Sequence, residues 1–315
     1  SYSAELVLIE SIIKFNSIIE ACMRLIIFIS LISQIAFACG ETSFQGHTEV
    51  PHITWGLIPY APIHILDGEY KGQGIADQYM KSAQEELTDY EHVNQIMTPA
   101  RVWHLISEGK ELVCNPSAIK TSSREKIAYF TEPALITPVA RVLMRKTVWE
   151  DRWGAVNKLN MAEYINANNG VFGIVSQRSY GEEIDDVLEN SIASGKKIIQ
   201  TYGQHGSRQL YEMLVHGRID MMIEYPWVIA YFKKVLKEPP VELVSLEIAD
   251  FPRFSPAYVA CSRNDAGKIV IDKLNTIIRK AIFVPSNREW MSNWLDEKES
   301  IKFEKDYLEF FKIAH

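Results

Sequence analysis

The order strand, loop, helix, strand, helix, glycine, strand occurs twice along this chain, and that repetition restricts the fold more than any single motif does. In the first pass, His52–Ile58 reads as a strand, Gly68–Gly74 as a turn region, and Ile75–Leu87 as a helix. The helix reading rests on Ile75, Tyr79, Ala83 and Leu87, which recur at helical spacing. Val93–Met97 then reads as a strand, Arg101–Ile106 as a short helix closed by Gly109, and Leu112–Asn115 as a third strand. The second pass begins after Lys146. Met161–Asn166 and Glu182–Ser191 read as helices around a strand at Val171–Ser176, followed by a strand at Lys197–Tyr202, a helix at Gln209–Val215 ending at Gly217, and a strand at Ile219–Ile223. Ala257–Ser262 is a further strand, and the chain reads as helical from Ile269 on.

Alternating strands and helices fold as a largely parallel sheet covered by helices. Two such passes predict an α/β protein of two lobes, each a central, mostly parallel sheet. No low-complexity linker separates the passes, so strands crossing between the lobes are expected to join them. Residues 47–140 with 257–315 form the first lobe in this reading and residues 141–256 the second. A hinge is expected near Ala134–Val142 and Phe254–Val259.

The segment before the first strand reads differently. Met23-Arg24 opens a charged region, the apolar run Leu25–Ala38 follows, and Ala36-Phe37-Ala38 offers a small-x-small cleavage site. This is the pattern of a secretory signal peptide over residues 23–38. Its unbroken apolar part is about half the roughly 20 residues a membrane-spanning helix needs. An uncleaved anchor extended back through residues 5–22 is the alternative, weakened by Glu10, Lys14, Glu20 and Arg24. Residues 1–22 precede the expected start, and residues 1–38 are set aside from the fold argument as upstream segment and signal peptide. Export to the periplasm or the medium is therefore expected. Cys39 directly follows the cleavage site and raises a lipid anchor. Lipoprotein signals usually carry Leu three positions before that Cys and a small residue next; Ala36 and Phe37 stand there, so ordinary cleavage is expected.

Composition excludes some functions. The net charge of −7 is spread along the chain without a basic block, so nucleic-acid binding has no electrostatic footprint. The four cysteines, Cys22, Cys39, Cys114 and Cys261, form no CxxC and no Cys/His cluster, so no zinc site and no cofactor is expected. Cys114 and Cys261 survive processing and sit in apolar strand-like segments. They read either as two buried thiols or as a disulfide within one lobe.

Three motifs then appear in order. Tyr60-Ala61-Pro62 precedes Asp67-Gly68 and Gly72–Gly74. Ser107-Glu108-Gly109-Lys110 is followed by Leu112–Asn115, by Thr121-Ser122-Ser123-Arg124 and by Phe130-Thr131-Glu132-Pro133. Gly217-Arg218-Ile219-Asp220 precedes a strand. In this order, behind a signal peptide, they resemble the family 3 extracellular solute-binding proteins over nearly all of residues 50–315. That resemblance implies the type II periplasmic-binding fold and, as partners, a small polar ligand and the membrane permease of an ABC-type importer, with the binding protein itself a monomer. It also implies that Arg124, matching the Arg of Thr-x-x-Arg, pairs with a ligand carboxylate. The position of the family's ammonium-binding Asp is held by Tyr225, with Glu224 before it, and Ser117 and Ile119 stand where small and hydroxyl residues are usual. The loop of the second lobe reads Ser176-Gln177-Arg178-Ser179-Tyr180-Gly181, gaining an Arg and a Tyr.

The residues carry the same chemistry without the family. A guanidinium is a planar fork suited to a carboxylate or phosphate. Arg124 follows a strand and a turn in which Thr121, Ser122 and Ser123 are placed to cap a helix and contact ligand oxygens. Otherwise Thr121 is simply a cap and Arg124 a solvated surface residue. Arg178 is expected to face the same cleft, or else to pair with Glu182 or Glu183 on the surface. With Arg124 it would favour a ligand with two acidic groups or one delocalised anion. Tyr60 and Tyr180 are candidates to cover the ligand, Ser117, Ser179 and Tyr225 to line the cleft, and Glu224 to accept a ligand donor or to form a structural salt bridge. Trp55 and Trp103 read as core. The expected function is capture of a small anionic, amino-acid-like or carboxylate solute. An exported enzyme resembling cyclohexadienyl dehydratase, with Glu224 as its acid, and a ligand sensor are the alternatives.

Overall fold

The computed structural model describes residues 50–313, apart from 153, 155, 157, 168–169, 204 and 237–240. The expected signal peptide and Cys39 lie outside the described residues. Strand β1 (His52–Leu57) is buried at five of its six positions, as a central strand covered on both faces must be. It pairs in parallel with β2 (Glu91–Ile96) and with β3 (Val113–Ala118). The sheet continues with β12 (Phe254–Ser262), antiparallel to β3 and also to the short strands β4 (Ala128–Phe130) and β5 (Leu135–Pro138). Ile53, Trp55 and Leu57 face a core shared with Val259, Val270 and Leu274.

The second sheet has the order β7 (Lys158–Leu159), β11 (Leu243–Ile248), β6 (Arg141–Arg145), β10 (Met221–Glu224), β8 (Phe172–Val175), β9 (Ile198–Thr201). Here β8 runs parallel to β9 and β10, while β6 runs antiparallel to β10 and β11. Each sheet thus holds a parallel trio, as the alternation predicts, completed by antiparallel strands. The chain passes from the first sheet to the second between β5 and β6, with only Val139 and Ala140 in between. It returns between β11 and β12, where Val139 N donates to Arg253 O at 3.3 Å, so the two passages lie side by side.

Local chemistry explains the helix boundaries that matter for the site. Helix α1 (Ile75–Glu86) starts under the 60–65 segment: Ile75 N and Ala76 N donate to the carbonyls of Pro62 and Ile63 at 2.8 and 2.9 Å. Asp77 accepts from Ile65 N and Gly74 N and pairs with His64 Nδ1. A side chain at residue 74 would have its Cβ 2.5 Å from Ile63 O, so this close approach requires glycine. Helix α2 (Pro99–Glu108) is capped by Thr98 and ends at left-handed Gly109. Thr121 caps the single turn α3 (Ser122–Glu125), its Oγ1 accepting from Arg124 N at 3.3 Å. Helices α4 (Lys146–Arg152), α5 (Met161–Ala167), α6 (Glu182–Ala193) and α7 (Gly206–Val215) flank the second sheet. Arg145 closes α7 by donating from Nη1 to Leu214 O and Ile219 O, while Asp220 accepts from Val171 N. The Gly217-to-Asp220 motif therefore anchors the start of β10. Helix α8 (Pro226–Val235) follows β10 at once, and α9 (Asp265–Ala281), α10 (Pro285–Ser292) and α11 (Glu297–Phe311) complete the chain.

Cys114 and Cys261 are partners across the β3–β12 ladder and are joined in a disulfide spanning 147 residues; the reading as two separate thiols is corrected. Among the described residues, no helix is long and apolar enough to cross a membrane.

Candidate functional site

A cavity of about 520 Å3 lies between the two sheets. It is lined by the ends of β1 and β3, by the crossing residues Thr137 and Ala257, and by the loops after β8, β9 and β10. Beyond the carboxyl ends of strands is where an α/β sheet leaves a ligand crevice. Its volume falls within the range of about 300–1,000 Å3 usual for small-molecule sites.

Of the residues singled out from sequence, Tyr60, Ser117, Arg124, Arg178, Ser179 and Tyr225 line this cavity. Ser117 does so from within β3 rather than after it. Arg124 is half-buried, its guanidinium 4.4 Å from the centre of the Trp103 ring and donating from Nη1 to Ile119 O at 2.8 Å. Burial pushes its pKa down, against the pull of Asp185 and Tyr225. No carboxylate among the described residues lies within ion-pair distance of it. The chain thus supplies a stacking platform and one backbone acceptor, and leaves part of the donor fork facing the cavity.

Arg178 is arranged otherwise. Its Nη1 lies 3.0 Å from Glu224 Oε2 and 3.1 Å from Oε1, and 2.9 Å from Ser207 Oγ. Its partner is therefore Glu224, and the surface pairing with Glu182 or Glu183, the alternative to facing the cleft, is not formed. Burial weighs against its charge, but Tyr60, Glu224, Tyr180 and Tyr225 together raise its pKa overall. Its guanidinium lies 3.6 Å from the centre of the Tyr60 ring, and Tyr60 Oη donates to Glu224 Oε1 at 2.8 Å. Tyr60 belongs to the loop after β1, and Glu224 to β10, so this cluster joins the two sides of the cavity.

Glu224 is fully buried, does not line the cavity, and accepts from Tyr60, Arg178 and the backbone N–H of Tyr225. Of the two readings of Glu224, the structural salt bridge is the one formed: its Oε1 accepts from all three groups, and its Oε2 also faces Arg178. Tyr180 and Thr121 also lie off the cavity. Tyr180 is buried, its hydroxyl accepting from Val175 N, and its ring stacks on Tyr225. Ser179 borders the cavity, but its hydroxyl donates to Asp185 Oδ2 and its carbonyl accepts from Tyr225 Oη. The loop carrying these residues turns at Gln177, a non-glycine residue with φ of 62° that also borders the cavity.

Sequence reasoning missed Trp103 and Trp227. Trp103 was read as core, but it borders the cavity beneath Arg124; Trp55 is wholly buried in the core. Trp227, in the first turn of α8, stacks on Tyr225 at 4.2 Å and borders the cavity. Its indole N–H is buried without a partner among the described residues. A tryptophan two residues beyond a predicted strand end, behind a proline, was the available signal.

No protein-family model and no curated protein matches the chain. Solved structures do. An ancestral arginine-binding protein bound to arginine is 13% identical with a TM-score of 0.58, covering 79% of this chain and 99% of its own. A putative L-cystine ABC transporter protein from Listeria monocytogenes is 17% identical with a TM-score of 0.58, covering 79% and 98%. An ancestral amino-acid-binding protein described as a precursor of cyclohexadienyl dehydratase is 16% identical with a TM-score of 0.56, covering 78% and 96%. The chain therefore has the two-lobed type II periplasmic-binding fold.

Proposed function

We propose that this protein is an exported solute-binding protein that captures a small anionic molecule between its two lobes and delivers it to the permease of an ABC-type importer. One observation carries the reading: Arg124 presents a guanidinium to the cavity between the sheets, with no carboxylate among the described residues within ion-pair distance to neutralise it. A half-buried cation without an anionic partner is a ready acceptor for one, and a ligand anion supplies that partner. In this reading residues 47–140 and 257–315 form one lobe and 141–256 the other, hinged where the chain crosses between sheets, and Tyr60, Ser117, Arg178, Ser179 and Tyr225 complete the wall. The dehydratase-like alternative is favoured by one similar structure. Against it, its acid would be Glu224, which is fully buried, paired to Arg178 and off the cavity.

The test is a thermal-shift screen over amino acids, dicarboxylates, peptides and aromatic acids. A ligand at 100 times its Kd stabilises by about 2.7 kcal/mol. Arg124→Met should abolish the shift of the best hit while the variant stays folded. A shift that survives the substitution removes Arg124 from the site and the reading with it.

A further inference from the structure

The charges around the cavity also specify the class of anion. Two cations line it, Arg124 and Arg178, and no Asp or Glu does among the described residues. Arg178 is already balanced by Glu224. The other acid acting on Arg124 through space, Asp185, stays off the cavity and accepts from Ser179 Oγ and Tyr180 N. The cavity therefore needs one negative charge and has no carboxylate to receive a positive one. A zwitterion would bring its carboxylate to Arg124 but leave its ammonium facing neutral oxygens and two guanidinium groups, a buried charge without a partner. A dianion would leave the opposite excess.

The remaining wall is aromatic and apolar, with Tyr60, Trp103, Tyr225 and Trp227 among its members. Resting on the anion-capture reading above, we infer that the ligand is a monoanionic carboxylic acid without an amine. It has an aromatic or bulky apolar body.

Calorimetric titration of the full chain with phenylpyruvate, 3-phenylpropanoate and L-phenylalanine tests this, because the three share one ring and one carboxylate. At least one amine-free acid should bind at least tenfold more tightly than L-phenylalanine. Equal or tighter binding of L-phenylalanine, or heat from none of the three with a folded protein, overturns the amine-free class. The same titrations on Arg124→Met separate this inference from its premise. If L-phenylalanine wins and its binding is lost in the variant, only the ligand class fails. If the wild-type affinities persist in the variant, anion capture by Arg124 fails as well.

Discussion

The cluster of Tyr60, Arg178 and Glu224 makes a strong quantitative prediction. Removing the carboxylate in Glu224→Ala leaves the Arg178 side chain, 14% exposed, with Ser207 Oγ as its remaining side-chain acceptor. Breaking a buried ion pair from one side costs about 3–5 kcal/mol, because the surviving charge is left uncompensated. The Tyr60 hydroxyl and the Tyr225 N–H lose their acceptor too, which places the expected loss toward the upper end of that range. For a protein of this size each kcal/mol moves Tm by about 2–4 °C, so a fall of about 10 °C or more is expected. The informative variant is the double substitution. Arg178→Met in the Glu224→Ala background removes the stranded cation, fills much of its volume, and should recover most of the loss. Urea unfolding of the wild type, both single variants and the double variant closes the cycle. If Glu224→Ala costs less than about 1 kcal/mol, or the double variant is no more stable than the worse single one, the ion pair is not what holds this part of the cleft.

Further outcomes are expected. Arg124→Met should abolish anion binding with only a small change in urea midpoint, because it gives up one hydrogen bond and a stacking contact; a large loss of stability would make Arg124 structural. Replacing Cys114 and Cys261 by Ser should cost about 2–5 kcal/mol, read as a lower Tm that reductant reproduces in the wild type; an unchanged midpoint under reductant refutes it. Burial raises the pKa of Tyr180 and Tyr225 above the ordinary value of about 10, so their neutral forms stabilise the fold fully below pH 10, and this is lost as pH rises through and beyond 10. Each such group should then withdraw about 1.4 kcal/mol per pH unit, and a native absorbance titration in which every tyrosine ionises together near pH 10 would contradict this.

What was legible in the sequence was local. The parallel trios follow from hydrophobic alternation, and Gly109 and Gly217 mark helix ends because left-handed backbone there favours glycine. Strand β4 escaped notice because three residues carry too little periodicity, and it forms only against β12 far along the chain. The alternative pairing of Arg178 with Glu182 or Glu183 rests on closeness in sequence alone. The sheet instead brings Glu224, 46 residues away, into contact, since β8 and β10 are adjacent strands. Helix α8 has Pro226, Trp227, Val228 and Ile229 all buried, so its first turn has no polar face from which a helical period could be read.

The Cys114–Cys261 bridge closes a covalent ring around the whole second sheet. Everything from β4 to β11 is a detour whose two ends are riveted together in the floor of the first. A single cut anywhere in that detour would open the ring without releasing either piece, so an oxidised molecule nicked there keeps its mass and remains one covalent object. In an oxidising compartment, a nick in the second lobe therefore leaves its two pieces held together by the bridge.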